Sequence, residues 1–269
     1  MPVRAVLFDL GDTLMLKARE PNDTDLYGHM AEQVRPLLRT WGVGAALDVP
    51  ALLRDLYRAV GVAQPDRRAR GEEVDGPFIT RGALASYGVD ASAEQATLLW
   101  RATDVEPHHW GWQCYPDSAD TLRRLSVLGL PAGIISNSWF TSDLTPAFIE
   151  AGGLDPALVQ VIVTSADLMR PKPDPAPFLR ALEQLAVDAG DAVFVGDDLE
   201  CDVRGAKALG MTTVWKLNGR HELPPAPEAD HLIHDLWELF ALPFLPSAAA
   251  ATLPQQSLTP HEDGNADRY

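Results

Sequence analysis

The sequence predicts an α/β fold in which a doubly wound parallel sheet carries an inserted helical domain. Short apolar runs rich in β-branched residues alternate with helix-like segments over residues 116–215, a pattern typical of strand–helix–strand units. None of the runs alternates strictly between apolar and polar residues, so each fits a strand buried on both faces of a parallel sheet. Residues 16–115 interrupt this pattern with helix-like segments and no recognisable strand.

The elements of the sheet follow in chain order. Five strands are predicted, at residues 3–8, 131–136, 158–164, 192–195 and 211–215. Three helices are predicted, at residues 116–129 before the second strand, 175–190 before the fourth and 202–210 before the fifth. The first begins at Asp117 or Ser118 and ends at Gly129, residue types that commonly start and terminate helices.

The inserted segment separates the first predicted strand from the other strands along the chain. It is expected to hold about four helices, including residues 25–41 and 91–105, with a loop at the polar run 64–76. The predicted domains are a core of residues 1–15 and 116–245 and a helical domain of residues 16–115. The polar, low-complexity residues 246–269 are expected to be a disordered tail.

The composition excludes several classes of protein. There are 22 basic and 38 acidic residues, and the net charge of −16 argues against nucleic acid or an anionic membrane as a general partner. The sequence has neither a signal-peptide pattern nor an apolar run approaching ~18 residues. Two cysteines cannot form a disulfide framework and fit a reducing compartment. We expect a cytoplasmic protein, and the sequence leaves its oligomeric state open.

Polar residues follow four of the predicted strands. They are Asp9 in VLFDLGDTLM, Ser136 and Asn137 in GIISNSW, Lys172 in RPKPDP, and Asp197, Asp198 and Asp202 in VFVGDDLECD. The carboxyl ends of parallel strands meet at one edge of a sheet, where binding sites of such folds lie. Several carboxylates suit Mg²⁺, and a hydroxyl and an ammonium beside them suit phosphoryl transfer.

In this order and spacing, the four stretches resemble the signature motifs of the haloacid dehalogenase-like (HAD) hydrolase superfamily. The likeness is to the subfamily with a helical cap inserted after the first motif, and it covers roughly residues 3–240. It extends to the linking text at residues 115–137 and 202–211. The resemblance implies a Rossmann-like core, a helical cap and a small phosphorylated substrate.

The resemblance also implies a role for each motif residue. Asp9 would be the nucleophile, Ser136 and Asn137 would bind the phosphoryl group, and Lys172 would neutralise the charge of Asp9 and the phosphate. The implied ligands of Mg²⁺ are Asp9, the backbone carbonyl of Gly11, Asp197, Asp198 and Asp202. Among these, Asp197 would be the principal acid of the fourth motif, while Asp198 and Asp202 would assist directly, through water or from the second layer.

One expected group is missing. HAD phosphatases usually carry a second aspartate two residues after the nucleophile, which protonates the leaving alcohol and then activates water. That position is Gly11 here. Asp12 would face the other way in an extended chain and is expected to cap the turn beside Thr13.

Three functions therefore stay open. They are a magnesium-dependent phosphatase acting through an aspartyl-phosphate on Asp9, a binding or regulatory protein that has lost turnover, and a 2-haloacid dehalogenase-type hydrolase. The acidic fourth motif favours the phosphatase over the dehalogenase, because dehalogenases of this superfamily use no magnesium.

Overall fold

The structure is a computed structural model that describes residues 3–219 and 228–245. Its strands are β1 (Ala5–Phe8), β2 (Met15–Lys17), β3 (Trp112–Cys114), β4 (Ala132–Ser136), β5 (Val161–Thr164), β6 (Ala192–Gly196), β7 (Thr212–Lys216) and β8 (His231–Ile233). A parallel sheet has the order β5-β4-β1-β6-β7-β8, and β2 pairs separately with β3. The expected Rossmann-like sheet is confirmed, with β8 as an additional edge strand. The expected tail, residues 246–269, lies outside the described ranges.

Strand β1 lies at the centre of the sheet, between β4 and β6. Val6 and Phe8 enter the apolar cluster on one face, while Ala5 and Leu7 enter the cluster on the other. Successive side chains of a strand point to opposite faces, so a strand covered on both sides is apolar throughout. This packing explains the unbroken apolar run that precedes Asp9.

The helices cover both faces of the sheet and form the inserted domain. They are α1 (Asp23–Thr40), α2 (Val49–Ala69), α3 (Gly76–Ser86), α4 (Ala93–Arg101), α5 (Ser118–Val127), α6 (Thr145–Ala151), α7 (Ser165–Leu168), α8 (Pro175–Leu185) and α9 (Gly205–Lys207). Helix α5 packs on one face through Leu122 and Leu125, and α8 packs on the other through Phe178 and Leu182. The third predicted helix begins as a π-helical turn at Leu199–Arg204 before α9. Within the described ranges, none of the helices has the length and apolarity to cross a membrane.

Helices α1–α4 form the cap around an apolar cluster of their own. In α2, Leu52, Leu56 and Val60 recur at helical spacing and are buried there. The prediction of a loop at residues 64–76 is wrong in its first part, because α2 continues through Pro65 to Ala69. Glutamine and arginine are good helix formers, whereas the interior proline is unfavourable, so helix propensity alone does not explain this turn.

A short antiparallel ribbon connects the cap to the sheet. Met15 of β2 pairs with Cys114 of β3, and Lys17 pairs with Trp112. The expectation that residues 16–115 contain no strand is therefore wrong at both ends of the segment. Each strand has three residues, too few for a periodic pattern to appear in the sequence.

Candidate active site

A cavity of about 460 Å³ lies at the carboxyl ends of the central strands, lined by both the sheet and the cap. Asp9 follows β1, Ser136 ends β4 and Asp197 follows β6. The topology of the sheet thus brings these three residues to one edge. The cavity lining includes all the site residues expected from the sequence: Asp9, Gly11, Ser136, Asn137, Lys172, Asp197, Asp198 and Asp202.

Lys172 is buried at the floor of this cavity. Its Nζ donates to Asp9 Oδ1 at 2.7 Å, to Asp202 Oδ1 at 2.7 Å and to the carbonyl of Ile135 at 2.8 Å. These bonds use all three ammonium donors. Burial on its own would lower the pKa of Lys172, but the charges of Asp202 and Asp9 outweigh burial and raise it. The lysine is therefore a fixed positive charge beside Asp9.

Asn137 positions Lys172 through the backbone. Its side-chain Oδ1 accepts from the Lys172 N–H at 2.7 Å, and its Nδ2 donates to the Lys172 carbonyl at 3.1 Å. Its side-chain amide is thus engaged with the neighbouring loop. Ser136, at the end of β4, is buried and lines the cavity.

The loop after β6 is ordered by its own carboxylates. Asp202 Oδ2 accepts from the N–H groups of Asp197 and Asp198, at 3.1 and 3.0 Å. Asp198 Oδ1 accepts from the N–H groups of Glu200 and Cys201, so it caps the π-helical turn. The Asp202 carboxylate lies against Gly196, where a Cβ would collide with it. A glycine is therefore required at the end of β6.

The side chains of Asp9, Asp197 and Asp202 form a cluster of three carboxylates. One oxygen from each lies within 4.8 Å of the others. This oxygen donor set, with a single ammonium to balance it, fits Mg²⁺, which prefers carboxylates and retained water. Burial raises the pKa of Asp9 to about 7, against the charge of Lys172 and with a contribution from Asp202 and Asp197. A divalent cation here would favour the ionised form of Asp9.

The region of Gly11 is occupied by an aromatic ring. A Cβ built on Gly11 would lie 3.3 Å from Cη2 of Trp112, the first residue of β3. The chain turns sharply at the next residue, because Asp12 has a φ of 55°. The Asp12 carboxylate accepts from the Lys17 N–H at 3.2 Å. Asp12 also lines the cavity, so the expectation of an extended chain that turns Asp12 away from the site is wrong.

Sequence reasoning missed most of the cavity wall that the cap contributes. Gln64 and Arg68 lie one turn apart on α2, Asp104 and Trp110 follow α4, and Trp112 belongs to the ribbon. Gln64 and Arg68 fall in the run expected to be a loop. Their spacing of four residues in a helix was the available signal, since such residues share a face.

The comparisons with known proteins agree with this geometry. A family model described as haloacid dehalogenase-like hydrolase matches residues 3–210. The haloacid dehalogenase-like hydrolase domain-containing protein 3 of Danio rerio is 28% identical, covering 89% of this chain and 96% of that protein. Phosphoglycolate phosphatase 1 of Pseudomonas aeruginosa is 30% identical, covering 67% of this chain and 65% of that protein.

Solved structures give the same fold. A HAD phosphatase from Thermococcus onnurineus has a TM-score of 0.51 at 28% identity, covering 89% of this chain and 97% of the other. A 2-haloacid dehalogenase from Pseudomonas syringae has a TM-score of 0.59 at 25% identity, covering 88% of this chain and 96% of the other. The parallel sheet, the inserted cap, the cavity and the family match lead to one conclusion: this chain belongs to the haloacid dehalogenase-like hydrolases.

Proposed function

We propose that this hydrolase is a magnesium-dependent phosphatase that acts on a small phosphorylated metabolite through an aspartyl-phosphate on Asp9. The observation that carries the proposal is the Lys172 ammonium, 2.7 Å from Asp9, inside a group of three carboxylates at the floor of the cavity. This arrangement provides a nucleophile, a fixed cation and ligands for a second cation. The likeness to a phosphoglycolate phosphatase supports a small phosphorylated substrate.

The residues divide the work of phosphoryl transfer. One carboxylate oxygen of Asp9 attacks phosphorus while Lys172 holds the other, which fixes the direction of attack. Ser136 would donate to a phosphoryl oxygen, and Asn137 would keep Lys172 in place. When bound, Mg²⁺ would offset the charge of the phosphate. Its proposed ligands are Asp9, the Gly11 carbonyl, Asp197 and Asp202, with Asp198 ordering the loop.

A dehalogenase is the weaker alternative. The likeness to a 2-haloacid dehalogenase and the absence of an acid at Gly11 favour it. However, such a reaction has no use for a second cation, and the carboxylates around Lys172 carry more negative charge than one ammonium balances. Gly11 also supports the remaining alternative, a binding or regulatory protein without turnover.

One set of assays separates the three functions. We expect release of nitrophenol from p-nitrophenyl phosphate with Mg²⁺, little without it, and none from Asp9→Asn. A panel of phosphorylated metabolites would then identify the substrate. Halide release from a 2-haloacid without metal would overturn the proposal in favour of the dehalogenase. Tight metabolite binding with no turnover of any phosphate ester would overturn it in favour of the binding protein.

We also propose the domain limits and the location of the protein. The core would comprise residues 1–15 and 116–245 and the cap residues 16–115, a division supported by the ribbon at Met15–Lys17 and Trp112–Cys114. A cytoplasmic location is supported by Cys114 and Cys201, which are free thiols.

A further inference from the structure

The leaving oxygen of a phosphate ester must receive a proton. The geometry of the reaction determines on which side of phosphorus the proton donor lies. In phosphoryl transfer the attacking and leaving oxygens lie roughly in line on opposite sides of phosphorus. The attacking oxygen belongs to Asp9, on the sheet. The leaving oxygen therefore points away from β1, toward the wall of the cavity that the cap provides.

The sheet side offers no suitable proton donor at position 11. Gly11 has no side chain, and the Trp112 ring occupies the space beside it. Asp12 and Asp198 line the cavity as well, but the Asp12 carboxylate accepts from the Lys17 N–H and the Asp198 carboxylate caps the turn that follows it. These two acids thus have structural partners.

Asp104 is different from the other carboxylates of the cavity. It follows α4, lines the same cavity as Asp9 and is only partly exposed. Among the residues that the structure describes, none donates a hydrogen bond to its carboxylate. The nearby Arg101 is directed elsewhere, because its guanidinium pairs with Asp143. The cavity wall on the cap side thus presents a carboxyl group without a structural partner.

We propose that Asp104 is the general acid and base of this hydrolase, in place of the acid missing at position 11. This inference rests on the proposed phosphatase function. In the first step Asp9 forms a bond to phosphorus, the bond from phosphorus to the leaving oxygen breaks, and the Asp104 carboxyl gives its proton to that oxygen. In the second step the Asp104 carboxylate takes a proton from water as the water oxygen attacks phosphorus. The bond from phosphorus to Asp9 then breaks, phosphate leaves, and Asp104 is protonated again.

The surroundings of Asp104 suit this role. Burial raises the pKa of Asp104 to about 7, opposed by the charge of Arg101. An acid with a pKa near the working pH both gives and takes protons efficiently. Tyr57 on α2 interacts electrostatically with Asp104, and Asp143 pairs with Arg101. Arg68 on α2 lines the same cavity. Tyr57 is no substitute, because burial raises its pKa and its hydroxyl bonds to Thr103 at 2.8 Å.

The test compares two aryl esters of similar size. The leaving group of p-nitrophenyl phosphate needs little protonation, whereas that of phenyl phosphate needs much more. We expect Asp104→Asn to lower kcat/KM for phenyl phosphate by about 10²–10⁴-fold and for p-nitrophenyl phosphate by less than about tenfold. The matched control is Asp90→Asn, an exposed carboxylate of the cap outside the cavity, which should change neither value.

The wild-type enzyme provides a second readout that does not depend on the folding of a variant. Its kcat/KM for phenyl phosphate should fall above about pH 7 relative to that for p-nitrophenyl phosphate, as Asp104 loses its proton. Equal effects of Asp104→Asn on both esters, or pH profiles that superimpose, would overturn the assignment of Asp104 while leaving the phosphatase function intact. A wild-type enzyme that hydrolyses neither ester would instead overturn the phosphatase function.

Discussion

The side-chain amide of Asn137 holds the backbone of Lys172 at both of its polar groups, accepting at 2.7 Å and donating at 3.1 Å. Asn137 follows β4, whereas Lys172 lies in the loop after α7, so this pair ties two loops of the active site together. The side chain of Lys172 reaches Asp9 from the position that Asn137 fixes. Misplacement of that backbone would move the ammonium relative to Asp9, the proposed nucleophile.

Asn137→Ala should therefore reduce activity more than stability. Loss of two neutral hydrogen bonds costs about 1–3 kcal/mol. If this cost falls on the placement of Lys172, kcat falls by about 10–10²-fold with a smaller change in KM. Steady-state kinetics with p-nitrophenyl phosphate measure this change, and Ser126→Ala, an exposed substitution on α5, is the control. A rise in KM with an unchanged kcat would show that Asn137 binds substrate instead.

The carboxylates after β6 should differ in their contribution to Mg²⁺ binding. Asp197 belongs to the cluster of three carboxylates that includes Asp9, whereas Asp198 Oδ1 caps the following turn. Asparagine caps helices as well as aspartate does. We expect Asp197→Asn to weaken Mg²⁺ binding by more than about 100-fold and Asp198→Asn by less than about tenfold, measured by calorimetric titration. Equal weakening by both substitutions would contradict this division of roles.

Replacing Lys172 should make stability strongly dependent on pH. Lys172→Met leaves buried carboxylates without their cation, which costs about 3–5 kcal/mol once those carboxylates are ionised. The pKa of Asp9 is already raised from 3.8 to about 7 by burial and rises further without Lys172. A raised carboxyl pKa gives stability that is present below the unfolded value and lost as pH rises through the folded value.

The loss of unfolding free energy in Lys172→Met should thus be small near pH 4 and grow as the pH rises beyond 7. Urea unfolding at several pH values measures it, and added Mg²⁺ should recover part of the loss at high pH. A loss that stays constant over this range would mean that the carboxylates do not depend on Lys172 for their charge.

Restoring an acid at position 11 should require space as well as charge. The Trp112 ring lies 3.3 Å from the point where the new Cβ would stand, and a carboxylate needs more room than a Cβ. We expect Gly11→Asp alone to raise kcat/KM for phenyl phosphate little, and Gly11→Asp with Trp112→Ala to raise it further. Trp112→Ala alone is the control. A full gain from Gly11→Asp alone would show that the ring yields without difficulty.

Much of the fold could be predicted because its signals are local. The strands on either side of β1 are short apolar runs buried on two faces, and helices such as α8 begin at proline-rich turns. The position of Asp9 could be predicted because it follows an apolar strand, and the carboxyl ends of parallel strands lie together on one side of the sheet. The resemblance to a known family connected it with Lys172, which no periodicity would have done.

The rest depends on contacts between distant segments. Trp112 approaches Gly11 only because β2 and β3 pair, and three-residue strands leave no pattern in a sequence. Asp104 lines the cavity because the cap folds over the sheet. The residues next to it in the sequence form no pattern that predicts this position. The end of α2 was missed because its polar composition and Pro65 are typical of loops, although the helix continues.

The central position of β1 in the sheet has a consequence for folding during synthesis. Its two neighbours are β4 and β6, so Val6 pairs with Ala132 and Val193. In the chain, the whole cap lies between β1 and both of these strands. During synthesis on the ribosome, β1 emerges long before either neighbour exists. An apolar strand with unpaired edges is prone to associate with other chains. The segment that carries Asp9, the proposed nucleophile, is thus made before both of the strands that cover its edges, and in that interval it is a suitable target for a chaperone.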